Sequence, residues 1–221
     1  NASFIYTPVP IAVDAIYEAI DAKLPLIVCI TKGIPIMDMM KIYDYAAHSN
    51  SRVVGPNSPG ILTPGQTNIG ILPGNMGLPG NVGVVSRSGT LTYEVTNALT
   101  KAGLGQTTCV GIGADPVIGT NFVEILQMFE EDPETEKIVL IGEISSRAEI
   151  NAAEYIKSSI TKRVVALIAG KNAPPQIQME MDDGAAIFEG QQVTATAKIE
   201  ALLEAGVLVA DNPDQIPNLL I

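Results

Sequence analysis

"VGVVSRSGTLTYE", residues 82–94, joins a hydrophobic β-rich run that stops at Val85 to a helical pattern that starts within a few residues. Between them Ser86-Arg87-Ser88-Gly89-Thr90 turns the chain. Strand, short polar turn and helix, in that order, make the βα unit of a parallel sheet. Small hydroxyl residues and a glycine at such a turn leave backbone N–H groups open, where the helix macrodipole favours an anion. The hydroxyls of Ser86, Ser88 and Thr90 are further candidate donors. The same residues equally suit an ordinary N-cap by Ser86 or Ser88, and spacing alone does not choose between the two. No Gly-Lys-Ser/Thr follows, which excludes a Walker loop.

Downstream the pattern repeats. "TTCVGIG", "KIVLIGE", "RVVALIAG" and "GVLVA" read as strands, and residues 88–101, 121–131, 147–158, 194–205 and 213–220 as helices. Five consecutive βα units predict a flavodoxin-like open parallel sheet over 81–221. Upstream, "SFIYT", "LPLIVCI" and "SRVVG" alternate with two helices, the first carrying Ile11, Ala15, Ala19 and Ala22 along one stripe. Residues 1–62 are therefore expected to form a partial Rossmann-like domain. Gly, Pro and Asn crowd the stretch from Gly55 to Gly83, so 63–80 is expected to be a connector with short extended pieces.

Nearly half of the residues are hydrophobic and 17% are charged, which excludes a disordered chain. The net charge of −11 argues against nucleic acid or anionic membrane as partner, because their phosphates would be repelled. Apolar runs fall short of the ~20 residues a membrane span needs. Cys29 and Cys109 lie in short apolar runs and read as buried free thiols, which fits a reducing compartment.

Ligands of open α/β sheets bind beyond the carboxyl ends of the strands, so chemistry is sought there. Glu143 in "IGEISSRAE" follows a strand and is placed either to orient a proton-bearing ring or to cap the next helix. "GIGADPVIGTN" has glycines suited to close backbone approach, with Asp115 ahead of a helix. In "VCITKG", Thr31 and Lys32 are candidates for a phosphate-rich ligand, and a solvent-facing lysine is the plain alternative. "GPNSPG" holds Asn57 and Ser58 between prolines. His48, the only histidine, reads as a surface residue near a helix C-terminus.

In this order the blocks "GPNSPGILTPG", "VGVVSRSGTLTYE", "GQTTCVGIGADPVIGTNF", "IGEI" and "ALLEAGVLVAD" resemble the succinate–CoA ligase (succinyl-CoA synthetase) α subunits over nearly the whole chain. The resemblance implies a coenzyme A-binding Rossmann-like domain followed by a ligase domain. It also implies a separate ATP-grasp-type β subunit carrying Mg-ATP or Mg-GTP, hence a hetero-oligomer in the cytoplasm or mitochondrial matrix. In that family phosphate passes from nucleotide to a histidine of the α subunit and then to a small carboxylic acid. The thiol of coenzyme A captures the resulting acyl phosphate. By this resemblance Ile30, Thr31 and Lys32 fall on a coenzyme A segment, although the family often has Glu where Lys32 stands. Tyr93 falls on a substrate contact, and Asn57 is a candidate for orienting the acid. Glu143 falls on the carboxylate that holds the histidine ring. Ser86, Ser88, Gly89 and Thr90 form the helix start that receives its phosphate.

Two departures follow. The family opens with a Gly-rich phosphate loop, and roughly sixty residues, about two βα units, are expected ahead of Asn1. In "QMEMDDGAAIFEG" Asp183 falls where the phosphorylated histidine belongs. The expectation is an α-type subunit impaired in phosphotransfer, or else a non-catalytic paralogue that binds a CoA ester or supports assembly. A carboxylate at 183 that itself takes phosphate is the third reading.

Overall fold

Residues 1–144, 146–171 and 194–221 are described by a computed structural model. The chain opens with β1 (Ala2–Ile5), α1 (Val9–Asp21), β2 (Leu26–Cys29), α2 (Ile36–Ala47) and β3 (Arg52–Val54), whose strands pair in parallel in the order β1-β2-β3. The stripe that α1 buries is Ala12, Ile16, Ala19 and Ile20; Ile11, expected inside, is half exposed. The helix is rotated by about one residue from the expected face, because the larger Ile16 and Ile20 fill the groove over the sheet and leave Ile11 to solvent.

The second sheet has seven strands in the order β10-β9-β8-β6-β7-β4-β5, as numbered along the chain. Here β6 is Pro79–Ser86, β7 Gln106–Gly111, β8 Lys137–Gly142, β9 Arg163–Ile168 and β10 Leu208–Ala210, all parallel. Between them run α3 (Gly89–Lys101), α4 (Phe122–Glu131), α5 (Ala148–Ser159) and α6 (Ala195–Glu204), with α7 (Ile216–Leu220) last. The strand order of the five parallel strands is that of the flavodoxin-like fold, reversing direction between β6 and β8. The extended pieces expected in 63–80 begin earlier: β4 (Gly60–Thr63) and β5 (Thr67–Gly70) form a hairpin that pairs antiparallel with β7. The supposed connector thus extends the second sheet, since a hairpin's unpaired edge is satisfied by joining the nearest ladder.

Alternating residues divide the core between the sheet's two faces. Val85, Leu140 and Ala166 pack with Phe122, Leu126, Ala152 and Leu202 of α4, α5 and α6. Val84, Ile141 and Leu167 pack with Val95, Leu99, Ile216 and Leu220 of α3 and α7. The two sheets are joined by polar bonds. Thr120 Oγ1 donates to Val53 O at 2.6 Å, and Arg52 meets Glu124 at 2.8 Å. Glu124 also closes a capping box on α4 with Asn121. Asn121→Ala is expected to cost about 1 kcal/mol, read as a melting point lowered by about 2–4 °C.

Cys29 and Cys109 are free and fully buried. Burial pushes their thiols up from 9.0, to about 11 for Cys29 and about 12 for Cys109. A raised folded value means that the unfolded chain releases its protons first as pH rises. The stabilisation is therefore complete below pH 9 and is lost through the interval up to those folded values, at about 1.4 kcal/mol per pH unit per thiol. Thermal melts between pH 8 and pH 11 are expected to show a falling midpoint. Replacing Cys109 with alanine is expected to flatten that fall; an unchanged slope would contradict this account.

Candidate active site at the strand switch point

Ser86 is the last residue of β6 and Glu143 the first after β8, so they flank the point where strand order reverses. Crevices at such points are where open sheets bind ligands, because the two following helices leave to opposite faces. At the start of α3, Ser88 is the N-cap, its Oγ accepting from Leu91 N at 3.3 Å. Ser86 braces it: Ser86 Oγ accepts from Ser88 N at 3.0 Å and donates to Ser88 O at 2.9 Å. Ser86, fully buried, therefore has its hydroxyl proton engaged within the turn and is not the free donor expected from spacing. Gly89 and Thr90 are exposed, and among the described residues their N–H groups have no partner. The first turn of α3 thus offers two open donors at the positive end of a thirteen-residue helix.

Sequence reading missed Arg87, and the site is organised around it. Its side chain is 2% exposed. Nη2 donates to the carbonyls of Ala114 and Asp115 at 3.0 Å each, and Nη1 donates to Ser146 Oγ. Its Nε lies 3.5 Å from Glu143 Oε1, an ion-pair contact rather than a formed hydrogen bond. One guanidinium thereby ties together the loops after β6, β7 and β8. The signal available in sequence was a long cation inside a turn of otherwise small residues.

Glu143 does not cap α5, whose first residue follows Arg147 without a side-chain cap. Ser146 accepts instead from Ala148 N, at 3.2 Å. The Glu143 side chain is 20% exposed and reaches Arg87 with its carboxylate. Behind it lie Glu149 and Lys198, both fully buried and paired at 2.7 Å. Burial pushes the Lys198 ammonium below its ordinary value, while the Glu149 carboxylate pulls it back up. Neither residue was legible as a site residue.

Three further loops converge beside this crevice. Asn57, in a left-handed conformation, donates from Nδ2 to Asp115 Oδ1 at 2.8 Å and from its backbone N to Thr31 O at 2.9 Å. Ser58 Oγ donates to Gly111 O at 2.5 Å. Of the segment after β2, Ile30 and Thr31 are buried, and Thr31 Oγ1 donates to Thr7 O at 2.6 Å. Lys32 is exposed and is the residue of the three whose charge reaches solvent. Tyr93 is exposed on α3. His48 is exposed at the C-cap of α2, its Nδ1 2.8 Å from Asp44 O. Asp183 lies outside the described residues. No helix among the described residues is long and apolar enough to cross a membrane.

A family profile described as CoA-ligase matches residues 85–208. Over 218 residues the chain is 51% identical to a succinate–CoA ligase [ADP-forming] subunit alpha of Aquifex aeolicus, covering 98% of this chain and 71% of that protein. The chain belongs to the succinate–CoA ligase alpha-subunit family. The Staphylococcus epidermidis member is 49% identical over 221 residues, covering 100% of this chain and 72% of its own. Among solved structures, Methanosaeta concilii ATP citrate lyase in complex with (3S)-citryl-CoA superposes with a TM-score of 0.86 at 25% identity. That match covers 99% of this chain and 37% of the lyase, so this chain spans little more than a third of that protein. The Methanothrix soehngenii ATP citrate lyase, in complex with citrate and coenzyme A, gives the same TM-score of 0.86 at 26% identity, covering 97% of this chain and 37% of its own. The family match covers both strand ends that carry Ser86 and Glu143, as well as Arg87, Glu149 and Lys198.

Proposed function

We propose that this chain is the α-type subunit of a nucleotide-dependent acid–CoA ligase that joins succinate to coenzyme A while a nucleoside triphosphate becomes diphosphate and phosphate. The single observation that carries this reading is the strand switch point, where the open N–H groups of Gly89 and Thr90 follow β6 and Glu143 follows the adjacent β8. Two aligned amides at a helix start bind a phosphoryl group by charge and direction together. Glu143, held beside Arg87, orients the group that carries the phosphate. Lys32 is the cation available to the phosphates of coenzyme A, whose contribution is the thiol that captures the acyl group. Tyr93 and Asn57 border the acid. The nucleotide enters through an ATP-grasp-type β partner, which makes the working unit a hetero-oligomer of a reducing compartment, cytoplasm or mitochondrial matrix.

With Asp183 at the position of the family's phosphohistidine, phosphotransfer is slow as the chain stands. Intact-mass measurement of the complex after incubation with Mg-ATP or Mg-GTP tests this. The expected result is a β complex whose α chain stays unmodified, and an Asp183→His chain that gains one phosphoryl group and supports thioester formation. A phosphorylated, hydroxylamine-sensitive natural chain would reassign Asp183 as the acceptor. If the Asp183→His chain forms neither phosphoprotein nor thioester with its β partner, the ligase reading falls. Tight association without turnover would then favour the assembly subunit, the reading to which the aspartate itself points.

A further inference from the structure

We propose that Lys198 and Glu149 are positioning residues for Glu143, gripping both of its main-chain polar groups from inside the core. The inference rests on Glu143 acting in phosphoryl handling, as argued above. Glu143 is the residue at which β8 leaves the sheet. Its N–H donates to Glu149 Oε1 at 3.0 Å, and its C=O accepts from Lys198 Nζ. Lys198 closes the triangle on Glu149 Oε2 at 2.7 Å. The residue before it takes part as well. A Cβ on Gly142 would lie 2.4 Å from Glu149 Cγ and 2.8 Å from Glu149 Oε1, so the carboxylate reaches Glu143 only because Gly142 has no side chain.

The reach of Lys198 is set independently. Thr194 caps α6, its Oγ1 accepting from Ala197 N at 3.2 Å, and Lys198 N donates to Thr194 O one turn in. The cap therefore fixes where along α6 the ammonium arises. On its outer side Glu143 meets Arg87, whose other donors are engaged by Ala114, Asp115 and Ser146. The carboxylate is thus located from both sides, by its backbone and by its charge.

Stability alone does not account for this pair. A buried ion pair is on average no better than apolar residues of the same volume, since desolvation offsets its Coulomb attraction. What the pair adds is direction, because two hydrogen bonds hold the Glu143 backbone and a third, between the two buried charges, closes the triangle. Misplacing a reacting group by about 1 Å costs on the order of 100-fold in rate.

The test compares three changes in the Asp183→His chain bound to its β partner: Glu143→Gln, the Glu149→Gln/Lys198→Met double change, and Gly142→Ala. The double change leaves no buried charge unpaired, and Gly142→Ala alters no charge at all, so neither depends on a lone ion surviving in the core. Thioester formation is followed for kcat and for KM of the acid. Each change is expected to lower kcat by about 10–100-fold with KM nearly unaltered. Adding Glu143→Gln to the double change is expected to cost less than the product of the two, because they act on one group. If the double change keeps kcat while Glu143→Gln loses it, the positioning role is overturned. If Glu143→Gln itself keeps kcat, the assigned role of Glu143 fails, and the positioning role falls with it. A complex with no turnover removes the ligase reading. The pair is then judged by crystal structures of the natural chain and its double variant. A shift of the Glu143 backbone by about 1 Å sustains the grip, and an unmoved Glu143 refutes it.

Discussion

Lys198→Met lowers the stability of the chain by about 3–5 kcal/mol. Methionine nearly matches the lysine stem in volume and flexibility, so little cavity opens. The loss is electrostatic: the Glu149 carboxyl, fully buried, is left without its ammonium partner. The same substitution joined to Glu149→Gln is expected to restore most of the stability, because a neutral amide tolerates the site where a lone carboxylate does not. Urea unfolding checks this through the midpoint, with the slope unchanged if the same surface is exposed. A single variant as stable as the parent would show that water reaches the pair.

Gly113→Ala is expected to cost about 2–6 kcal/mol, combining backbone strain with overpacking. Gly113 has φ +101°, a conformation that side-chain-bearing residues rarely adopt. A Cβ there would lie 2.1 Å from Pro56 O, a backbone atom that cannot swing aside. The clash falls where the "GIGADP" and "GPNSPG" loops cross, next to the carbonyls of Ala114 and Asp115 that receive Arg87. The variant should therefore lose the proposed phosphate binding at the start of α3 together with stability. The measurement is a thermal melt with and without inorganic phosphate. The parent gains melting temperature with the ligand, and the variant melts low and gains less. A variant that melts like the parent would refute the packing argument.

The legible part of the site is the part encoded in consecutive residues. Ser86 to Thr90 announce a strand end and a helix start, and Glu143 announces another, because turn and cap chemistry is local. The choice between Ser86 and Ser88 as cap was open in the sequence and fell to Ser88. Arg87, Glu149 and Lys198 were opaque for the opposite reason. Charged residues on helices and turns ordinarily face water, so "TAKIEALLE" reads Lys198 as surface. Only its encounter with Glu149, across 49 residues of chain, makes it a core residue. The stripe on α1 failed more mildly: several alanines and isoleucines offered two overlapping faces, and the sheet beneath selected one.

The sequence by itself determined that five strands and five helices alternate into a parallel sheet, since hydrophobic period and turn residues act within a few positions of each other. It placed serine, glycine and glutamate at strand ends, where open α/β sheets bind their ligands. Strand order, the hairpin of β4 and β5 on the sheet edge, and the burial of an ionic cluster behind Glu143 were decided only in three dimensions. Which strand lies beside which depends on the competition of whole faces for burial. A charge becomes interior only when folding brings its counter-charge within reach.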